Sequence, residues 1–241
     1  MPRKKASKEK APEINHNPFK SKITIQGKRL TEKQKAFLHL GLDKDTKIMF
    51  VEGPAGSTKT YAAVFAALRE LQKNDDMDLL YVRTAIESAD KGLGALPGTL
   101  EDKFNPYMAP LEDKLDELLP PTTPIADELI QSGRIQAMPI NFLRGANWIN
   151  KIIIADESQN FTFKELVTLI TRIGENSKLI ICGDMMQSDI NGKTGFHDMI
   201  KLFDCEESRG RGIHCFRFTE DDILRSAILK YIVRKLKTVN N

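Results

Sequence analysis

The stretch "VEGPAGSTKT", residues 51–60, carries the residue types that hold phosphate. Gly53, Lys59 and Thr60 satisfy the pattern Gly-x-x-x-x-Gly-Lys-Ser/Thr, with Thr58 standing where the pattern has its second glycine. Gly53 and Gly56 let the backbone curl so that N–H groups face phosphate oxygens. Lys59 offers a cation to the β/γ phosphates, and Thr60 offers a hydroxyl to Mg²⁺. Pro54, Ala55, Ser57 and Thr58 complete the loop and Tyr61 follows it, so the expected nucleotide contacts run from Gly53 to Tyr61. Further along, "KIIIADESQN" is an apolar run ending in two acids. Asp156 is placed to hold the metal and Glu157 to polarise the water that attacks a γ-phosphate. "IICGDMMQSD" adds Asp184 and Gln187 at the same level. Gln187 can touch both the γ-phosphate and the attacking water, so Lys59, Glu157 and Gln187 are the candidate catalytic residues and Thr60 and Asp156 the candidate metal ligands.

Thr58 raises a conformational question. Glycine is required in a loop for positive φ or for close approach of the backbone to a ligand. Position 58 directly precedes Lys59 and opens a helix, where ordinary negative φ and a threonine cap are expected. On that reading the strain falls on Gly53 and Gly56, and Thr58 only crowds the phosphates.

These side chains must be carried by strands and helices in the right order. "KIMFVE" (47–52), "DLLYVR" (78–83), "RIQAMPI" (134–140), "KIIIADE" (151–157) and "KLIICGD" (178–184) are short apolar runs of strand type. "YAAVFAALRELQ" after the loop and "TFKELVTLITRIGENS" between the last two strands have helical composition or spacing, with Gly174 as a stop. Apolar strands alternating with helices predict an α/β fold, a mostly parallel sheet with helices on both faces. The proline-punctuated segment at about 88–125 is too long for a plain connection and is expected to be an insertion of short helices. Residues 219–237 read as a C-terminal helix with Ile223, Leu224, Ile228, Ile232 and Leu236 on one side.

Charge divides unevenly. Residues 1–30 hold nine Lys and Arg against two acids, a surplus of +7, which leaves −4 for residues 31–241 in a chain of net charge +3. The first thirty residues are therefore expected to be a basic, flexible tail, either an arm for nucleic acid or a solubilising extension. No signal-peptide or membrane-span pattern is present in the sequence, so a cytoplasmic protein with no membrane partner is expected. Three cysteines offer no disulfide framework. His197, Cys205, His214 and Cys215 match no zinc spacing and take ordinary core and surface roles.

Taken together, the loop, "ADESQN" and "GDMMQSD" resemble the first RecA-like half of superfamily 1 helicases. "GALPGTLEDKFNPYMAPLEDKL" resembles the insertion of the PhoH-like ATPases, and "VRTAIESADKGLG", "INFLRG", "ITRIGENSKLIICGD" and "FTEDDILRSAILKYIV" are similar to that family too. The resemblance covers about residues 28–236 and implies a P-loop NTPase: one RecA-like domain over 31–241 that binds ATP with Mg²⁺ and hydrolyses it. It implies that Gln34, in "TEKQKAFLHL", reads the adenine edge, against the alternative of a solvated helix glutamine. It also implies a homo-oligomeric ring, a hexamer, with an arginine reaching the γ-phosphate from a neighbouring subunit. Arg83, Arg144, Arg172, Arg217 and Arg225 lie in matching segments, Arg172 and Arg225 being the first choices. The expected partner is single-stranded nucleic acid, RNA rather than DNA, met by Lys91, Lys103, Phe104 and Tyr107 of the insertion. A nucleotide-stabilised assembly protein with vestigial turnover is the alternative, and Thr58 is its support. Short single-domain versions of this family also occur in bacteriophages, so the expected setting is a bacterial or infected host cell.

Overall fold

The computed structural model describes residues 19, 21–26, 29–84, 100–143, 147–187, 194–224 and 226–237, with backbone alone for 100–106 and 237. Six strands form one sheet: β1 (Ile48–Glu52), β2 (Asp78–Arg83), β3 (Ile135–Pro139), β4 (Lys151–Ala155), β5 (Lys178–Gly183) and β6 (Ile213–Arg217). Their order is β3-β2-β4-β5-β1-β6, and every pairing is parallel. Strand β5 therefore separates the phosphate-loop strand β1 from the acidic strand β4.

Alternation along the strands builds two cores. Met49, Val51, Leu79, Tyr81, Ile152, Ile154, Ile180 and Cys182 face one side, where they meet α1 (Glu32–Leu42), α2 (Lys59–Lys73), α3 (Leu100–Leu118) and α4 (Ile125–Gln131). Ile48, Phe50, Leu80, Val82, Ile153, Ala155, Leu179 and Ile181 face the other, under α5 (Phe163–Ile170) and α6 (Phe196–Phe203). A sheet covered on both faces has no polar side to its strands, which is why β1, β2, β4 and β5 read as continuous apolar runs. The expected α/β architecture with a parallel sheet and helices on both faces is present.

Four features depart from the sequence reading. The first is β6, whose "IHCFR" has no apolar run because it is an edge strand, only partly covered. The second is α3, a single helix of nineteen residues rather than a set of short ones, with Pro106 and Pro110 inside it. An interior proline costs about 3 kcal/mol. Tyr107, Leu111, Leu115 and Leu118 are all buried against the core from this helix. Each such burial is worth about 2 kcal/mol or more, enough to offset the prolines.

The third concerns the tail. Ile23 is buried in the core, the Gln26 N–H donates to Leu118 O at 2.7 Å, and Gln72 Nε2 donates to Ile23 O at 2.8 Å. Ser21 hydrogen-bonds the carboxylate of Glu128, and the Phe19 ring lies 5.6 Å from the Arg134 guanidinium. The docked chain thus begins ahead of the expected boundary at 31. The fourth is the C-terminal helix. A 3₁₀ turn at Glu220–Asp222, capped by Thr219, leads into non-helical Ile223 and Leu224, and α8 spans Ala227–Lys237, after a short α7 (Glu206–Gly210) earlier in the chain. Ile223, ahead of the helix, and Val233 are buried, whereas Ile228, Ile232 and Leu236 of α8 are exposed, as is Leu224 before it, so the apolar stripe of the helix points outward.

Candidate functional site

The C-terminal ends of β1, β4 and β5 open into a cleft of about 840 Å³. In an open parallel sheet the strand ends leave room for ligands on this side. Gln34, Ala55, Gly56, Thr58, Lys59, Thr60, Tyr61, Asp156, Glu157 and Gln187 all line it, so the structure gathers the residues chosen from the sequence. Gly53, Pro54 and Ser57 lie behind them and shape the loop. A Cβ on Gly53 would come within 2.7 Å of Phe218 Cβ and 2.8 Å of Ser57 Oγ, so this glycine is required by packing. Gly56 has φ of 77°, which is the conformational use of glycine. Ser57 is buried and its hydroxyl donates to Pro54 O at 2.7 Å, closing the turn.

Thr58 corrects the expectation of ordinary backbone. Its φ is 68° and ψ is 20°, the left-handed region, and its side chain makes no capping hydrogen bond to the helix it precedes. The pattern's glycine would adopt this conformation freely, whereas threonine costs about 1–2 kcal/mol there. The Thr58 hydroxyl instead accepts from Gln34 Nε2 at 2.9 Å. Gln34 is only 4% exposed, so it is not a solvated helix glutamine.

Lys59 folds its ammonium onto the loop, donating to Gly53 O at 2.6 Å and Pro54 O at 3.0 Å. It thereby stands where phosphate oxygens would be met. Thr60 Oγ1 donates to Asp156 Oδ1 at 3.0 Å, which brings the helix start and the acidic strand together. The other carboxylate oxygen, Oδ2, accepts from the Tyr81 hydroxyl at 2.6 Å. Burial, and then the Asp156 charge, push the Tyr81 phenol well above its usual range, so it remains a donor. Burial likewise holds the Cys182 thiol well above its usual range and therefore neutral. The Thr60 hydroxyl and the Asp156 carboxylate are hard oxygen donors of the kind Mg²⁺ takes.

Glu157 also has left-handed backbone, with φ of 53°. Its Oε2 accepts from Gln159 Nε2 at 2.7 Å, and Arg83 Nη2 lies 3.8 Å from Oε1. Gln159 Oε1 in turn accepts from the Asp184 N–H at 3.0 Å, linking the ends of β4 and β5. Gln187 is exposed at the mouth, with its N–H on Asp184 O at 3.2 Å. Tyr81 and Gln159 were missed in the sequence. Tyr81 reads as core within an apolar strand, and Gln159 follows the acids without a charge to draw notice. Arg83, considered only as a donor to another subunit, is in the cleft of its own chain.

The first-choice arginines fare differently. The Arg172 carbonyl accepts from the Trp148 N–H at 3.0 Å, three residues ahead of β4, so it lies at the opposite edge of the sheet from the cleft. Arg225 lies outside the described residues, as do Arg144 and Lys91, and so do the side chains of Lys103 and Phe104. Tyr107 is 5% exposed within the core, so it offers no platform for a base. In its place the α3 wall of the cleft presents Pro110, Asp113, Lys114 and Glu117.

An all-parallel sheet, a phosphate loop leading into α2 and an acidic strand one position removed define a RecA-like P-loop domain of the nucleotide-binding class. Residues 25–237 match the PhoH-like protein family, and the chain belongs to it. It is 32% identical over 212 residues to a PhoH-like protein of Mycobacterium bovis, covering 87% of this chain and 57% of that one. It is 32% identical over 184 residues to Protein PhoH of Escherichia coli K12, covering 76% of this chain and 51% of that one. The chain therefore spans a little over half the length of the curated relatives it matches. Among solved structures it is distantly similar to Bacteroides sp. Pif1 in complex with ADP-AlF4, at 17% identity and a TM-score of 0.39, covering 86% of this chain and 45% of that one. No helix among the described residues is long and apolar enough to cross a membrane.

Proposed function

We propose that this protein binds and hydrolyses ATP, and that it does so as a ring-shaped motor or helicase on single-stranded nucleic acid, RNA rather than DNA. The observation that carries the ATPase reading is the convergence of Thr60 and Asp156 at 3.0 Å beside a Glu157 whose carboxylate is oriented by Gln159 and Arg83. Lys59 exchanges its loop carbonyls for the β/γ phosphate oxygens when the nucleotide enters. Thr60 and Asp156 hold Mg²⁺, which neutralises charge on the phosphates when bound. Glu157 accepts a proton from the attacking water, and Gln159 with Arg83 keeps its carboxylate aimed. Gln187, at the mouth, contacts the γ-phosphate and relays its loss.

The outward stripe of α8 supports the assembly reading: Ile228, Tyr231, Ile232 and Leu236 are exposed on it, and Leu224, ahead of the helix, is exposed too, its N–H donating to Gly56 O of the phosphate loop at 3.3 Å. A neighbouring subunit of a hexameric ring covers it and delivers an arginine to the cleft, Arg172 and Arg225 being the candidates. The setting is the cytoplasm. The basic N-terminal segment supports the nucleic-acid reading through attraction to phosphates. One observation favours a second reading, an ATP-cemented assembly with weak turnover: the left-handed Thr58, which strains the phosphate loop.

Phosphate release measured with no nucleic acid, with RNA and with single-stranded DNA, beside a mass measurement of the assembly, separates the two. The motor reading expects turnover stimulated by RNA and strand displacement that Glu157→Gln abolishes. Tight ATP-dependent assembly without stimulated turnover would establish the second reading instead.

A further inference from the structure

The Gln34 carboxamide is used from two sides. Its Oε1 accepts from the Thr31 N–H at 2.9 Å, while Thr31 Oγ1 accepts from the Gln34 N–H at 3.2 Å, a reciprocal cap on α1. A backbone N–H can only donate, so it fixes which end of the amide is oxygen. Nε2 must then face Thr58, whose hydroxyl accepts it at 2.9 Å. A primary amide has two N–H groups and two carbonyl lone pairs. These contacts use one of each and leave one of each for a ligand in the cleft that Gln34 lines.

The remaining donor and acceptor are the complement of adenine, which presents an N7 acceptor beside an N6 donor. Guanine presents two acceptors there, N7 and O6, so the same amide sets a lone pair against O6. Orientation of the amide is therefore the basis of discrimination. We propose that Thr58 is a positioning residue for base recognition: the Thr31 N–H sets which end of the Gln34 amide is oxygen, and the Thr58 hydroxyl, by accepting from Nε2, holds that oriented carboxamide in place with its free edge available to adenine. This rests on the ATP reading above. It gives the threonine a use that offsets its backbone strain, because glycine would relax the left-handed turn and remove the acceptor together. It also ties the base to the phosphates, since Thr58 immediately precedes Lys59.

The test is equilibrium binding of ATP and of GTP to the full chain in constant Mg²⁺, with thermal melting of each variant to register folding. Thr58→Val keeps the branched side chain and loses the hydroxyl; the ATP-over-GTP preference is expected to fall about tenfold. Thr58→Ser keeps the hydroxyl and retains the preference. Thr58→Gly relieves strain and still loses the preference, which a purely structural role for Thr58 would not produce. Wild-type preference in Thr58→Val and Thr58→Gly, together with its loss in Gln34→Ala, would overturn the proposal while leaving adenine reading by Gln34 intact. Unchanged preference in Gln34→Ala would overturn both, and no ATP binding by the unmodified chain would remove the nucleotide reading itself.

Discussion

Thr58 and Glu157 stand on opposite sides of the cleft, one in the loop after β1 and the other just beyond β4, and both hold left-handed backbone without being glycine. The other non-glycine residues of this kind among those described are Asn150 and Asn176, a residue type that tolerates the conformation at little cost. Strain therefore concentrates in the cleft, where it sits in functional sites generally. Each strained residue is met by a buried glutamine, Gln34 for Thr58 and Gln159 for Glu157. The difference lies in what the strain secures. At Glu157 the turn places the carboxylate proposed to polarise the attacking water; at Thr58 it places a hydroxyl that holds another side chain. Removing the first glutamine should alter recognition, and removing the second should alter rate.

The largest expected effect on nucleotide binding belongs to neither strained residue but to the cation between them. Lys59→Ala removes a charged partner of the phosphates, worth up to about 3 kcal/mol, so ATP affinity should fall by about two orders of magnitude. Calorimetric titration checks this, and an unchanged affinity would mean that the ammonium stays on Gly53 and Pro54. Next comes the support of the acidic side. Tyr81→Phe deletes the buried hydrogen bond to Asp156 and should lower stability by about 2 kcal/mol in denaturant unfolding.

The same phenol gives a pH signature. Its folded value is raised above the unfolded value of about 10, so its stabilising share is full below pH 10 and is lost as pH rises beyond it. Tyr81→Phe should flatten that alkaline loss. A smaller effect is expected from Gln159→Leu, which releases Glu157: turnover about tenfold slower with ATP affinity kept. Equal losses of affinity and turnover would place Gln159 with the binding residues and erase the contrast between the two glutamines. The smallest effect is on folding at Thr58, where Thr58→Val keeps the strain, loses the bond and should cost about 1 kcal/mol. Thr58→Gly exchanges strain for flexibility and should melt closer to wild type.

Much of this was legible in the sequence because two-sided burial writes itself as apolar runs, as in "KIIIADE" and "KLIICGD". The residues at their ends then fall at one edge, so Lys59, Thr60, Asp156 and Glu157 could be placed without coordinates. What escaped has physical reasons. The half-covered edge strand β6 carries no such run. Helix α3 survives its prolines through long-range burial that no local propensity contains. Thr58 looks like a helix cap because it precedes α2, yet the loop that closes with the Ser57 N–H on Pro54 O enters the helix through Thr58 in the left-handed region, a conformation that no local residue type signals. Gln159 was invisible because its importance lies in a partner, Asp184, contributed by another strand.

The central claim is that Glu157 activates water for attack on bound ATP. Single-turnover hydrolysis by the full chain and by Glu157→Gln, each first saturated with ATP and Mg²⁺, tests it most directly. The account predicts unchanged ATP binding with hydrolysis slowed by about two orders of magnitude or more. Hydrolysis by Glu157→Gln at the wild-type rate would contradict it.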